Sequence, residues 1–160
     1  MPQLSAGIVL YRLTGASPEV LLVHPGGPYW ANKDDGAWSI PKGLYAPGED
    51  ALAAATREFA EETGTTPAGV FVQLGDFRQP SGKVVAAFAV EGNLDLGGFV
   101  SNTFTMEWPP KSGRMVAFPE ADRAAWFTPD AARVKVTKGQ VPIIDALIAH
   151  LAGGPPLTLR

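Results

Sequence analysis

The stretch PKGLYAPGEDALAAATREFAEETG, residues 41–64, places a glycine-rich turn ahead of an alanine-rich helix. The pattern predicts that this helix begins at Asp50 and ends at Gly64, where glycine suits a left-handed C-cap. Glu61 and Glu62 then fall in the last turn, where the helix dipole disfavours negative charge by roughly 0.3–1 kcal/mol for each residue. Glu58 shares their face, because at about 100° per residue the other two lie roughly 40–60° from it.

This crowding of carboxylates has two interpretations. A solvated acidic face is the ordinary one for a glutamate-rich helix. A sequence that breaks two local rules in one place is usually using that place, however, and a hard divalent cation bound through oxygen ligands would compensate for the charge. Magnesium is the natural candidate, with manganese as the alternative.

The bulk composition predicts a single globular domain over residues 1–160. Hydrophobic residues make up 46% of the chain and charged residues 18%, which is typical of folded domains of this length. The chain has no cysteine, so disulfides, thiolate catalysis and cysteine-based metal sites are excluded. A reducing cytoplasm is the compartment that fits this composition.

Charge and hydropathy narrow the class of partner. The formal net charge of −3 argues against duplex nucleic acid and anionic membranes, which usually require a basic surface. No apolar run approaches the roughly 20 residues of a membrane-spanning helix, and the first residues lack the pattern of a signal peptide. We therefore expect a soluble cytoplasmic protein with a small-molecule partner, and leave open whether it is a monomer or a homodimer.

The remaining pattern predicts an α+β fold with a mixed sheet between helices. Apolar runs at 3–12 and 19–24, separated by turn residues, predict an antiparallel pair of strands. Further strands are predicted at 37–41, 70–77, 83–90, 104–108 and 124–128, with a brief helix at 128–134 and a closing helix at 138–151. A polar and aromatic loop at 25–36 is long enough to suggest a functional role.

A specific resemblance accounts for the acidic helix. The fixed positions follow the pattern G-x5-E-x7-R-E-x2-E-E-x-G and are Gly43, Glu49, Arg57, Glu58, Glu61, Glu62 and Gly64. This pattern resembles the signature of the Nudix hydrolases at every fixed position, and the one departure is Thr65, where that family usually has Ile, Leu or Val. The resemblance implies an α/β/α sandwich. It also implies hydrolysis of a nucleoside diphosphate linked to another group, by attack of water on a phosphorus of the pyrophosphate.

The resemblance also implies roles for single residues. Glu58, Glu61 and Glu62 would coordinate the metal, and the same face would supply a general base. The main-chain carbonyl of Lys42 resembles the family's backbone metal ligand. The remaining fixed residues would support the geometry of the site, with a pair that ties the loop to the helix, Arg57 and Glu49, and two glycines, Gly43 and Gly64.

Two flanking segments suggest the substrate. The stretch WSIPKG, residues 38–43, resembles the W-x-x-P-K-G entry of the dinucleoside polyphosphate hydrolase branch, so the Lys42 side chain would lie beside a phosphate chain. The stretch FPEADRAAWFT, residues 118–128, is similar to the segment from which a glutamate reaches back to the metal in that branch. Glu120 is the candidate for this role, with Glu107 and Asp122 as alternatives.

Other contacts with substrate are predicted from residue type alone. Trp30 and Tyr45 lie in polar stretches and are candidates for stacking on a base, whereas Trp38 and Trp108 are more consistent with core positions. Lys83 is a candidate phosphate ligand; other cations are expected to be solvated, namely Lys33, Arg78, Lys111 and Arg114. His24 and His150 are interpreted as structural.

These features predict a magnesium-dependent enzyme that cleaves a dinucleoside polyphosphate such as diadenosine tetraphosphate. Hydrolysis of ADP-ribose, of other sugar nucleotides or of oxidised nucleoside triphosphates is the alternative within the same chemistry. A nucleotide-binding module without hydrolytic activity belongs to a different class, and is disfavoured because every carboxylate of the pattern is present.

Overall fold

A mixed sheet of six strands forms the centre of the computed structural model, which describes residues 3–15 and 17–153. Its strand order is β4-β5-β1-β2-β8, and β3 pairs separately with β1. The strands are β1 Leu4–Thr14, β2 Ser17–Pro25, β3 Lys42–Leu44, β4 Val72–Arg78, β5 Val84–Glu91 and β8 Ala121–Phe127. Strands β1 and β5 run parallel, and every other pair in this sheet is antiparallel.

Strand β1 changes its partner along its length. Its first half pairs with β3 through residues 5–7, and its second half pairs with β2 through residues 11–14. The predicted antiparallel pair of β1 and β2 is therefore confirmed. Strands β1 and β2 separate after Val20, and β3, which begins the glycine-rich turn, pairs with β1 beyond this split in the sheet.

Helices cover both faces of the sheet, which confirms the predicted α+β sandwich. On one face lies α1, Ala51–Thr63; on the other lie α2, Pro129–Lys135, and α3, Val141–Leu151. Side chains of β1 alternate between the two cores: Ile8 packs with Phe59 of α1, whereas Val9 packs with Ile144 of α3. None of the helices in the described residues has the length and apolar character needed to cross a bilayer.

The acidic helix α1 has well-formed ends. The Asp50 side chain accepts a hydrogen bond from the Ala53 N–H at 2.9 Å, and Gly64 adopts the left-handed conformation with φ 81°. The first turn contains no acidic residue and the last turn no basic residue, so the helix charges oppose its dipole as the sequence indicated.

Two predicted segments differ from the structure. The strand expected at 37–41 is wrong: Trp38 and Ser39 make only isolated bridges, and the regular strand lies instead at Lys42–Leu44. Pro41 has no N–H with which to continue a ladder. The closing helix begins at Val141 rather than at residue 138, because residues Lys138–Gln140 form a 3-10 turn.

A separate two-stranded sheet stands outside the main one. It consists of β6, Thr103–Glu107, and β7, Met115–Pro119, and the sequence did not predict β7. The Glu107 carboxylate accepts hydrogen bonds from the Gly113 N–H at 2.7 Å and the Lys111 N–H at 3.3 Å, which closes the hairpin turn. Glu107 is thus engaged in the hairpin.

Candidate active site

A pocket of about 320 Å³ lies at the split in the sheet, and we call it the acidic pocket. Its lining combines three carboxylates with one lysine and three other residues: Glu58, Glu62, Glu120, Lys42, Val23, Pro25 and Ser39. These residues come from β2, the segment that follows it, β3, α1 and the residue before β8. The pocket therefore brings together the candidate carboxylates from two distant parts of the sequence.

Helix α1 supplies two of these carboxylates from one face. Glu58 and Glu62 are four residues apart and line the pocket, while Phe59 and Thr63 turn into the core. Gly43 allows this arrangement, because a Cβ at that position would overlap the carboxylate of Glu58. Glu61 does not line the pocket and lies beside it, with one oxygen 3.7 Å from Arg57 Nη1.

Glu120 is placed opposite α1 by its backbone. Its N–H donates to the Asn102 carbonyl at 2.8 Å, and the Asn102 N–H donates to the Glu61 carbonyl at 2.8 Å. The Glu120 carbonyl in turn accepts from the Gly26 N–H at 3.0 Å. This chain of hydrogen bonds links the residue before β8 to the end of α1. Of the three acidic candidates in this region, Glu120 lines the acidic pocket, whereas Glu107 closes a hairpin and Asp122 contacts His24.

Arg57 connects the glycine-rich turn to the acidic helix. Its Nη2 lies 3.1 Å from Glu49 Oε2, and its Nη1 lies 2.9 Å from Glu58 Oε2. The hydrogen bond with Glu49 is the main cause that raises the pKa of the guanidinium. A cation held in this way orients the Glu58 side chain and offsets part of the repulsion within the carboxylate group.

The acidic pocket disfavours ionisation of its own groups. Burial, followed by the nearby Glu58 charge, raises the pKa of Glu62 to about 8. Burial also lowers the pKa of the Lys42 ammonium, and raises the pKa values of Glu58 and Glu120. The Lys42 main chain lowers the pKa of Glu62 and so offsets a small part of this rise. A metal cation in this pocket would therefore reduce the repulsion between the carboxylates, which is otherwise reduced by their protonation.

The chemistry of the pocket suits a hard divalent cation. Its candidate metal ligands are the carboxylate oxygens, which magnesium and manganese prefer. Within residues 3–15 and 17–153, no three His, Cys, Asp or Glu side chains stand close enough together to form a ready-made metal site. The carboxylates are thus related by a shared pocket rather than by a finished coordination sphere.

A second pocket of about 420 Å³ adjoins the first, and we call it the basic pocket. The two pockets share Pro25, Ser39 and Lys42. The basic pocket has three lysines and no carboxylate in its lining, which consists of Pro25, Trp30, Ala37, Ser39, Lys42, residues 79–81, Lys83 and residues 137–140. Three of the four substrate-binding candidates therefore meet in one place.

The fourth substrate-binding candidate, Tyr45, lies elsewhere. It is partly buried against the core beneath α1, and lines a separate pocket of about 200 Å³ with Leu4, Leu44 and Pro47. Burial raises the pKa of its hydroxyl. The structure does not bring Tyr45 to the acidic or the basic pocket.

The other aromatic and basic candidates are more dispersed. Trp38 is 4% exposed within the core, and Trp108 contacts Tyr29 edge-on at a centroid distance of 5.3 Å. The Lys33 ammonium lies 5.5 Å from the Trp30 ring centroid. Arg78, Lys111 and Arg114 do not line either pocket.

His24 lies in the core beside the pockets. It is fully buried, with Nδ1 at 2.9 Å from Asp122 Oδ1 and Nε2 at 2.6 Å from the Lys33 carbonyl oxygen. These contacts attach the 25–36 loop to β2 and β8. The other histidine, His150, is at the end of α3 and lines neither pocket.

Sequence reasoning missed several residues of these pockets. Ser39 lines both, and Lys138 and Gln140 line the basic pocket from the turn before α3. Asn102 participates only through its backbone, so its side chain gives no signal. The position of Lys138 next to a glycine in a polar turn could have marked it as a candidate phosphate ligand.

The chain matches the profile of one protein family over most of its length. Residues 1–147 match the family profile of the NUDIX domain. No curated protein sequence matches the chain.

Solved structures share the fold at low sequence identity. The NUDIX domain of Shewanella oneidensis NrtR, complexed with ADP ribose, superimposes with a TM-score of 0.65 at 17% identity, covering 94% of this chain and 89% of that one. A C. elegans Ap4A hydrolase in a binary complex gives a TM-score of 0.64 at 23% identity, covering 93% and 98%. A NUDIX hydrolase from Nitrosomonas europaea gives 0.56 at 25% identity, covering 98% and 94%.

Proposed function

The chain belongs to the Nudix family of pyrophosphohydrolases, and on that premise we propose that its acidic pocket hydrolyses a dinucleoside polyphosphate such as diadenosine tetraphosphate. The observation that carries this proposal is the meeting of Glu58, Glu62 and Glu120 in one pocket that opens onto a lysine-lined one. The first pocket suits the reaction, and the second suits the remainder of a long anionic substrate.

The carboxylates define where the metal would be held. The family uses a divalent cation, and here Glu58, Glu61, Glu62, Glu120 and the Lys42 carbonyl would hold magnesium. When bound, the ion neutralises phosphate charge and lowers the pKa of an attacking water. One carboxylate of the group would accept a proton from the attacking water as general base.

The chain's own residues orient the substrate. Lys42 lies at the junction of the two pockets, where its ammonium can contact phosphates on both sides. Its lowered pKa arises mainly from burial, and a phosphate in contact with the ammonium would favour the charged form again. Arg57 holds Glu58 in place rather than contacting the substrate.

The lining of the basic pocket favours a substrate with a long polyphosphate chain over one with a diphosphate. Lys42, Lys83 and Lys138 line it, and Trp30, which is 39% exposed, offers a ring for stacking on a base. A chain with net charge −3 requires such a local group of cations to hold a tetraphosphate. The W-x-x-P-K-G segment at residues 38–43 supports the same choice.

ADP-ribose is the second candidate substrate. The NUDIX domain of S. oneidensis NrtR, which has the same fold, was solved with ADP ribose bound. A diphosphate substrate would fill the acidic pocket and leave part of the lysine-lined pocket without a phosphate to bind. The comparison of these two substrates therefore tests the role assigned to the basic pocket.

A panel of substrates with magnesium tests the proposal. We expect diadenosine tetraphosphate to yield AMP and ATP, with a higher kcat/KM than ADP-ribose, sugar nucleotides or oxidised nucleoside triphosphates. Reaction in 18O-labelled water should place the label in a phosphate of one product only. If another substrate is better by about tenfold or more, which corresponds to about 1.4 kcal/mol in the barrier, the choice of substrate is wrong. If nothing is hydrolysed, the proposed activity fails.

A further inference from the structure

A buried side-chain amide reaches the segment that the two pockets share. Gln140 is 1% exposed and is the last residue of the 3-10 turn before α3. Its Oε1 accepts a hydrogen bond from the Ile40 N–H at 3.0 Å, and its Nε2 donates to Ser39 Oγ at 2.8 Å. These partners are 100 and 101 residues away in the sequence. Because an unpaired buried amide is costly, both bonds are needed for glutamine to be tolerated here.

The Ile40 N–H is paired with this side chain instead of with a strand. Ile40 is fully buried, and the next residue, Pro41, has no N–H. The two residues before Ile40 make only isolated bridges. Gln140 therefore does for this irregular segment what a neighbouring strand would do in a regular sheet.

Ser39 fixes the orientation of the amide. Its hydroxyl donates to the Ile40 carbonyl at 2.6 Å, so a lone pair of the same oxygen accepts from Gln140 Nε2. A flipped amide would turn its NH2 group toward the Ile40 N–H, which is also a donor. Only the observed orientation pairs all of these groups.

We propose that Gln140 is a positioning residue that couples the wall of the basic pocket to the segment carrying Lys42. The turn that contains Gln140 lines the basic pocket, whereas Ser39 and Lys42 also line the acidic pocket. Lys42 follows Ile40 by two residues and lines the acidic pocket together with Glu62. A shift of residues 39–41 would therefore move Lys42 relative to Glu62 in the acidic pocket. As a role in catalysis, this inference rests on the proposed hydrolase function.

Kinetics separate positioning from general stability. We expect Gln140→Leu to lower kcat for diadenosine tetraphosphate about tenfold, with KM nearly unchanged. Ser39→Ala removes one of the bonds and should have a smaller effect. The double variant should lose less than the product of the two single losses, because both act through one network. Ile144→Val is the matched control: Ile144 is fully buried on α3 and lines neither pocket, so its variant should lower Tm and leave both kinetic constants unchanged.

Amide hydrogen exchange, followed by NMR, gives a readout that needs no turnover. In Gln140→Leu we expect the Ile40 and Lys42 amides to exchange about tenfold faster than in Ile144→Val. Equal exchange of Lys42 in the two variants overturns the coupling, whether or not the protein is active. Full turnover by Gln140→Leu overturns it as well. If the wild-type protein hydrolyses none of the substrates and the Gln140→Leu variant still shows the faster exchange, the proposed function is contradicted and the coupling is supported.

Discussion

The acidic and basic pockets adjoin each other but are assembled in different ways. Two of the acidic pocket's carboxylates, Glu58 and Glu62, come from one face of one helix. The basic pocket instead takes Trp30, Lys83 and Lys138 from three segments that are far apart in the sequence. Apart from Glu120, the carboxylates proposed for the reaction are thus encoded locally, whereas the groups proposed for substrate choice depend on the tertiary fold.

This difference separates two kinds of expected effect. Substitutions in the acidic pocket should reduce turnover of every substrate, since each substrate needs the same metal and the same attacking water. Substitutions of Lys83 and Lys138, which line only the basic pocket, should change the order of preference among substrates and leave the reaction itself in place.

The largest effect is expected for Glu62→Gln. The amide keeps the shape of the side chain but removes a metal ligand and a candidate base, so we expect turnover to fall at least about a hundredfold on all substrates. Turnover and Tm should be measured together, with Glu91→Gln, an exposed glutamate at the end of β5, as the control. If Glu62→Gln turned over substrate at the wild-type rate, Glu62 would not belong to the active site. If the variant did not fold, the acidic face of α1 would have a structural role.

Glu62 also predicts how stability depends on pH. Its pKa is raised from 4.5 to about 8 in the folded protein, mainly by burial, so the folded state binds this proton more tightly than the unfolded chain does. The resulting stabilisation is complete below pH 4.5 and is lost as the pH rises toward about 8. In the presence of a chelator, we expect the Tm of the wild type to fall across this interval more steeply than that of Glu62→Gln. Parallel curves would show that Glu62 is not the group responsible.

Arg57→Ala should have an intermediate effect. Loss of the contacts to Glu49 and Glu58 frees the glycine-rich turn from α1, and we expect kcat to fall about tenfold for both candidate substrates. Arg133→Ala is a matched control, because Arg133 is similarly exposed and also pairs with two carboxylates, at 2.7 and 2.9 Å, but lies outside both pockets. If the two variants had equal kinetics, the contacts of Arg57 would be ordinary surface ion pairs with no role in the active site.

The fold could be predicted wherever local patterns decide the structure. Helix α1 begins after Asp50 and ends before Gly64 because capping and helix propensity agree there. The segment 37–41 was wrongly predicted as a strand, because its apolar residues are buried by tertiary contacts and not by a regular sheet. The Ile40 N–H bonds to the Gln140 side chain, and Pro41 has no N–H with which to form a ladder. Strand β7 was missed because, in the part of the chain that the structure describes, it pairs with β6 in a hairpin outside the main sheet.

The pockets could be predicted only in part, for the same reason. The spacing of Glu58 and Glu62 is a local property, so the sequence alone indicates their shared face. Gln140 has no such signal, since its role depends on partners 100 residues away. Tyr45 stands in a polar stretch that suggested contact with substrate, but β3 directs it toward the core beneath α1.

Lys42→Ala tests the junction between the pockets. Removal of the ammonium should lower kcat/KM for diadenosine tetraphosphate about tenfold more than for ADP-ribose, because a longer phosphate chain loses more charge-assisted contacts. Lys42→Arg retains the charge and should restore part of the preference. An equal loss on both substrates would place Lys42 at the scissile phosphates alone.

The smallest effect is expected for Lys138→Ala. Lys138 is exposed, so water and salt screen its ammonium, and we expect KM for diadenosine tetraphosphate to rise only about threefold with kcat unchanged. Lys135→Ala changes the net charge by the same amount, but Lys135 pairs with Asp34 and Asp35 at 2.6 and 2.9 Å and lines neither pocket. A rise in KM that appears only for Lys138→Ala, and that disappears at high salt, would come from the basic pocket. If both lysines gave the same rise, the net charge of the protein would account for it, and the basic pocket would not extend as far as the turn before α3.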